Sequence, residues 1–153
     1  MIKIQLKNEL ASKQIAQIAT QLQKPRQLYG VLGETLKKIH QERFKQEVDP
    51  EGKKWQALSP QTKAQKAKRR KSTKILRQDG YLSDKLAYNY DEHSVEFGSD
   101  AKYARLHQFG GKTGKGKKVT IPQRRWLGVS QQDKQILLRK ATALLQRQIE
   151  QVL

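Results

Sequence analysis

Leu86-Ala87-Tyr88-Asn89-Tyr90-Asp91-Glu92-His93-Ser94-Val95-Glu96-Phe97 decides the fold class of this chain. Leu86, Tyr88 and Tyr90 alternate, Asp91-Glu92-His93 interrupts, and Val95 and Phe97 alternate again. A period of two on both sides of a polar break is the pattern of a β-hairpin whose strands each bury one face. Ile2, Ile4 and Leu6 predict one more short strand near the start, and Val119-Thr120-Ile121, closed by Pro122, a last one.

The rest of the chain has the helical period. Ala11, Ile15, Ile18 and Leu22 recur at spacings of four, three and four, and Lys24-Pro25 should end that helix. Leu32, Leu36, Ile39 and Phe44 continue an apolar stripe up to Asp49-Pro50-Glu51-Gly52, a turn sequence, after which Trp55 and Leu58 anchor the chain. Ser59-Pro60 starts a helix expected to run towards Leu76, because Ser caps free amide protons and Pro is preset for the first helical position. Its stretch from Gln61 to Thr73 has almost nothing apolar beyond alanine, so residues 60–74 are expected to form a solvated or partly mobile basic arm. Ser99 or Asp100 is expected to cap a short helix carrying Tyr103, Ala104, Leu106 and His107, which Gly110-Gly111 ends in a left-handed conformation. Residues 111–118 read as a Gly and Lys loop. Ser130 and Asp133 form a variant capping box before a long final helix with its stripe on Leu138, Ala141, Leu145, Ile149 and Val152, widened by Leu137 and Leu144. The expected fold is α+β: a small antiparallel sheet with a β-hairpin packed against several helices, a long C-terminal helix and a basic extended arm. A length of 153 residues fits a single domain over 1–153.

The charge is unevenly placed. Between Glu51 and Asp79 there are ten Lys and Arg and no carboxylate, and between Asp100 and Asp133 there are eight more, again without an acid. These two windows account for the whole net charge of +18. Blocks of one sign repel themselves unless an anionic partner faces them. Lys66, Lys68, Arg69, Arg70, Lys71, Lys115, Lys117, Lys118, Arg124 and Arg125 are therefore the candidate contacts to such a partner. Phosphates are one such partner, so non-specific DNA contact is the alternative function. Aromatic residues do not interleave with the run from Lys66 to Lys74, which argues against sequence-specific recognition.

Catalytic and cofactor patterns are missing. Gly111-Lys112-Thr113-Gly114-Lys115-Gly116-Lys117-Lys118 comes within one residue of a P-loop, but Lys118 replaces the hydroxyl that holds magnesium, and a strand follows where a helix should open. His40, His93 and His107 lack a second histidine at ligand spacing, and there is no cysteine, so neither a metal nor a thiol site is expected. His107 reads as a hydrogen-bonded packing residue, and Asp91-Glu92 as a solvated hairpin tip. No apolar run approaches the ~20 residues that span a bilayer, and no h-region opens the chain, so a soluble cytosolic protein without a membrane partner, enzymatic activity or cofactor is expected.

Three groups of residues resemble a known family. They are Arg43-Phe44 through Asp49-Pro50-Glu51-Gly52 to Trp55, Leu58-Ser59-Pro60 and Thr62; Lys74-Ile75-Leu76 through Gly80-Tyr81-Leu82; and Val95-Glu96-Phe97-Gly98 through Tyr103-Ala104 to His107-Gln108-Phe109-Gly110-Gly111, followed by Ile121-Pro122 and Leu127-Gly128-Val129-Ser130. In order and spacing they are similar to the phage virion morphogenesis family, which includes the G protein of Mu-like phages and tail completion proteins. Gln123-Arg124-Arg125-Trp126 departs from the small residue, Arg, Pro and aromatic more usual there. The resemblance implies a non-enzymatic structural or assembly protein acting in tail completion or head-tail joining. Its expected partners are tail or neck proteins, with a homo-oligomeric ring among its likenesses to tail completion proteins, and its expected location is the bacterial host cytoplasm and then the virion tail or neck. Trp55, Tyr103, His107, Phe109, Gly110, Gly111, Pro122 and Trp126 carry the family pattern or the packing.

Overall fold

The computed structural model describes residues 2–5, 10–69, 75–76 and 82–152. In chain order the elements are β1 (Ile2–Gln5), α1 (Leu10–Thr20), α2 (Pro25–Gln46), α3 (Pro60–Lys68), a single 3-10 turn (Ser83–Lys85), β2 (Leu86–Tyr90), β3 (Val95–Ser99), α4 (Ala104–Phe109), β4 (Gly111–Thr113), a second 3-10 turn (Lys115–Lys117), β5 (Val119–Ile121) and α5 (Gln131–Val152). The fold is α+β, with one sheet of order β1-β3-β2 and a two-stranded sheet of β4 and β5. The chain divides into two compact units, one of Met1–Ile2, His40–Leu86 and Gly98–Gly128, the other of Lys3–Ile39, Ala87–Phe97 and Val129–Leu153.

In the second unit the hairpin forms as its alternation requires. Asp91 Oδ1 accepts from the amides of His93 and Ser94 at 2.7 and 2.9 Å, and these bonds draw the Asp91 carboxyl below its usual range. Val95 and Phe97 of β3 are fully buried, together with Leu28, Tyr29, Leu32 and Leu36 of α2. The outer strand β2 lays its tyrosines on a bare face of α2. A Cβ on Gly33 would lie 2.3 Å from the Tyr88 ring and one on Gly30 would lie 3.0 Å from Tyr90, so only glycines one turn apart let the rings approach. The Tyr88 hydroxyl then reaches Glu34 Oε2 at 3.0 Å, and the Arg26 guanidinium lies over Tyr90 at 4.8 Å.

The final helix begins with the reciprocal box. The Ser130 amide donates to Asp133 Oδ2 at 2.9 Å, and the Asp133 amide donates to Ser130 Oγ at 3.2 Å. Leu137 and Ala141 of α5 are buried, and α5 packs against α1, whose Ile15 and Ala19 are buried. Gln148 ties the chain just after α1 to α5 by accepting from the Gln23 amide at 2.7 Å and donating to the Gln21 carbonyl at 2.9 Å. The stripe outruns this packing: Ile149 and Val152 are exposed.

The first unit is built around an aromatic cluster. Phe44 of α2 meets Trp55 edge-on at 5.5 Å and Trp126 at 6.1 Å, and His40 stands edge-on to Trp126 at 6.3 Å. Chain reversal after α2 follows from Asp49, whose Oδ1 accepts from the amides of Glu51 and Lys53, and from Gly52 at φ 88°.

Three local expectations are corrected. α3 has the Ser59 cap, with Ser59 Oγ accepting from the Thr62 amide at 3.2 Å, but it ends at Lys68, and Lys66 is buried rather than solvated. The remaining arm residues, 70–74, lie outside the described residues. Neither Ser99 nor Asp100 caps α4: Tyr103 takes the cap position without a side-chain bond, while Ser99 ends β3, fully buried, and accepts from the Ala101 amide at 3.0 Å. Residues 111–118 are not an open loop, because Gly111, Lys112 and Thr113 pair antiparallel with Ile121, Thr120 and Val119. Gly114 and Gly116, at φ 84° and 69°, let the connecting turn close.

Candidate functional site

The first unit contains a cavity of about 710 Å³. Three stretches of chain wall it: the α3 entrance with Leu58, Ser59, Thr62 and Lys66; α4 with the residues before it, including Tyr103, Ala104 and His107; and the whole of β5 with Pro122 and Arg124. Leu76, Leu82 and Ala101 complete its apolar lining.

Gly110 sets the cavity's α4 side against its β5 side. It ends α4 at φ 71°, its amide donates to the Leu106 carbonyl at 2.7 Å, and a Cβ there would lie 2.9 Å from the Gln123 nitrogen. Any other residue would push the returning strand away. The Arg124 amide can therefore donate to the His107 carbonyl at 2.8 Å, which places Arg124 and His107 side by side.

Arg124 is the chemically distinctive wall residue. It is only 7% exposed, its Nε donates to the Gln56 carbonyl at 2.8 Å and its Nη2 to the Ala57 carbonyl at 3.3 Å. Neither acceptor is a carboxylate, and burial lowers its pKa. Lys66 is also buried and its pKa is lowered, first by burial and then by Arg124, with Glu47 opposing. His107 is half-buried, its Nδ1 has no hydrogen-bond partner, and its pKa falls to about 4, first through burial and then through the positive charges of Arg124 and Lys66. The hydrogen-bonded packing role expected for this ring is thus missing at Nδ1.

His107 makes stability pH-dependent. Its folded pKa of about 4 lies below its ordinary value of 6.5, so the unfolded chain takes up the proton first as the pH falls. The stability carried by the neutral ring is complete above 6.5 and is lost between 6.5 and about 4. Urea unfolding of the wild type and of His107→Gln should show their stability difference shifting against the wild type across that window. A difference that is flat with pH would contradict the assignment.

The other candidate cations sort into distinct environments. Lys68 and Arg69 are exposed at the end of α3, and Arg70 and Lys71 lie outside the described residues. Lys115, Lys117 and Lys118 are exposed on the β4–β5 turn, where no carboxylate among the described residues pairs with them. Arg125 instead pairs with Glu51 at 3.0 Å. Among the pattern residues, Trp55 and Trp126 are core, with their indole N–H groups donating to the Arg125 and Ala104 carbonyls at 2.7 and 2.9 Å. Tyr103 and Phe109 are exposed, with the Lys102 ammonium and the Arg105 guanidinium over their rings at 5.7 and 5.0 Å.

Two buried polar devices escaped the sequence reading. Gln108 Oε1 accepts from the amides of Trp126 and Leu127, at 3.0 and 2.9 Å, and its Nε2 donates to the Leu127 carbonyl at 2.9 Å. Arg43 donates to the Gly128 carbonyl at 2.8 Å and to His40 Nε2 at 3.3 Å, and the same Nε2 accepts from the Gly128 amide at 3.2 Å. Two donors on Nε2 place the ring proton of His40 on Nδ1. Burial holds the Arg43 pKa down to about 10 despite Glu51 and Asp49. Both devices fasten the segment from Trp126 to Gly128. The one available signal was the presence of Arg43, Gln108 and Gly128 in the quoted family pattern.

No group of three His, Cys, Asp or Glu able to hold a metal occurs among the described residues, and no described helix is long and apolar enough to cross a membrane. The near-P-loop forms β4 and the turn that leads to β5, not a strand-to-helix phosphate loop.

"Mu-like prophage FluMu G protein 2" of Haemophilus influenzae is 34% identical over 73 residues, 48% of this chain and 52% of that protein, so the chain spans about half the length of this curated relative. No solved structure matches the chain. The family model described as the phage virion morphogenesis family matches residues 6–146. A match over nearly the whole chain means that this protein belongs to the phage virion morphogenesis family.

Proposed function

We propose that the protein acts without enzymatic chemistry in tail completion or head-tail joining, assembled in the host cytoplasm and retained in the tail or neck. The observation that carries this reading is the family match over residues 6–146, and the likeness to a Mu-like G protein supports it. The residues contribute surfaces rather than reacting groups. Lys112, Lys115, Lys117 and Lys118 project from the small β4–β5 sheet as an exposed cationic tip. Ile149 and Val152 leave an apolar end on α5 suited to a neighbouring subunit of a ring or to a tail protein. Immunogold electron microscopy of purified particles should place the protein at one end of the tail. Label spread along the tail, or confined to the capsid shell, would contradict the proposal.

The β4–β5 lysines also favour a second reading, contact with DNA at the joint. Four neutralised phosphates predict that log affinity falls against log salt with a slope of about −3.6. Replacing Lys112, Lys115, Lys117 and Lys118 by alanine should flatten that slope, and a steep slope unchanged in the variant would remove the hairpin from the DNA contact.

A further inference from the structure

We infer that the cavity of the first unit is a docking site for an aliphatic segment of a partner protein carrying one acidic side chain, whose carboxylate is received by Arg124 and Lys66. That the partner is a virion protein rests on the reading above; the carboxylate chemistry does not.

Arg124 carries the argument. Arg124 as a residue is 7% exposed, so its side chain gives up part of its hydration, and a buried charge ordinarily has an ion partner. Its recorded bonds go to two backbone carbonyls through Nε and Nη2, and Nη1 has no acceptor among the described residues. The two carbonyls fix the plane of the fork while leaving its charge uncompensated, which is the preparation a carboxylate needs for a charge-assisted bond. Lys66, buried in the same wall, adds positive charge that Glu47 partly offsets, so Arg124 is the main receiver. The nearby His107 Nδ1, buried without a partner, is a further polar group that an incoming hydrogen-bonding group can satisfy.

The remaining lining selects the class of anion. Leu58, Leu76, Leu82, Val119, Ile121 and Pro122 offer aliphatic surface, and among the described residues Tyr103 and the His107 ring are the aromatic members of the wall. Single-stranded nucleic acid favours stacking platforms and a cationic track along repeated phosphates. A cavity of about 710 Å³ with aliphatic walls fits a few residues of peptide better, its side chains on the leucines and a single carboxylate at the cations. The exposed β4–β5 lysines, by contrast, form the open surface that repeated phosphates prefer.

Amide-resolved NMR titration of the full chain tests this with acetyl-Leu-Glu-Leu-amide, its Gln counterpart, acetyl-Leu-Gln-Leu with a free carboxy terminus, and inorganic phosphate. The Glu peptide should shift the Arg124 Nε–H and the Thr120 and Ile121 amides saturably. Its binding should be about tenfold tighter than that of the Gln peptide, the range of one charge-assisted bond. Arg124→Gln should abolish the preference. Because that change also disturbs the bonds to Gln56 and Ala57, Lys66→Met serves as the second variant and should reduce the preference in a folded chain, while Lys117→Ala leaves it intact. Equal binding of Glu and Gln peptides would make the cavity merely apolar and overturn the inference. Preference for the free terminus would transfer the site to chain-end capture, and phosphate matching the Glu peptide would transfer it to nucleic acid; either overturns it. No saturable shift with any probe would also overturn it, while leaving the tail assignment standing, since particle labelling reads that separately.

Discussion

Trp126→Ala should cost about 3–5 kcal/mol, the range for emptying a fully buried large aromatic site. Trp126 is 0% exposed, rests against Phe44 and His40, and donates its indole N–H to the Ala104 carbonyl. Alanine would leave a cavity at the centre of the first unit and remove the indole bond to the Ala104 carbonyl of α4. Guanidinium unfolding followed by fluorescence reads this directly, because Trp55 remains as a reporter in the same unit. Phe109→Ala is the internal comparison. That ring is 56% exposed, and its removal should change stability by no more than about 0.5 kcal/mol. Equal effects of the two changes would refute the assignment of Trp126 to the core and Phe109 to the surface.

Gln108→Ala should have the second largest effect, about 3 kcal/mol, for a different reason. Little apolar area is lost. Instead the amides of Trp126 and Leu127 and the Leu127 carbonyl lose their partner together, each inside the protein. Gln108→Glu separates the parts of this claim. It keeps an acceptor for the two amides, removes the donor to the carbonyl and adds a charge at a buried site, so it too should destabilise. If Gln108→Ala unfolded at the wild-type denaturant midpoint, the clamp would be without energetic weight.

These two residues also mark the limits of what the sequence disclosed. Trp126 could be named beforehand among the residues that carry the family pattern or the packing. The clamping role of Gln108 could not, because glutamine is ordinarily a surface residue and its value depends on which backbone groups the fold brings to it. The hairpin, the Ser59 cap, the Ser130–Asp133 box and α5 were legible because their signals lie within a few residues of one another. Gly30 and Gly33 were passed over because their reason lies in Tyr88 and Tyr90, more than fifty positions away.

The charge windows show the same division. Net charge marked the right segments but gave Lys66, Arg124, Arg125 and Lys117 one meaning. Folding gives them three: Lys66 and Arg124 are buried in a cavity wall, Arg125 is paired with Glu51, and Lys117 is exposed on a turn. Burial of a cation is set by contacts between distant stretches, here residues 56–66 with 101–107 and 119–124, and no local pattern records it. Lys66 was placed on the solvated arm for that reason, since α3 has only alanine for apolar residues after Pro60 and nothing local shows that Thr62 and Lys66 enter the wall.

The central claim is that this chain completes or joins the tail. Its most direct test is deletion of the gene from an inducible lysogen, with electron microscopy of the lysate and complementation by the wild-type chain. The account predicts finished heads and tails that remain separate, or tails arrested before joining, with whole particles restored by complementation. Normal yields of infectious, joined particles from the deletion strain would contradict it.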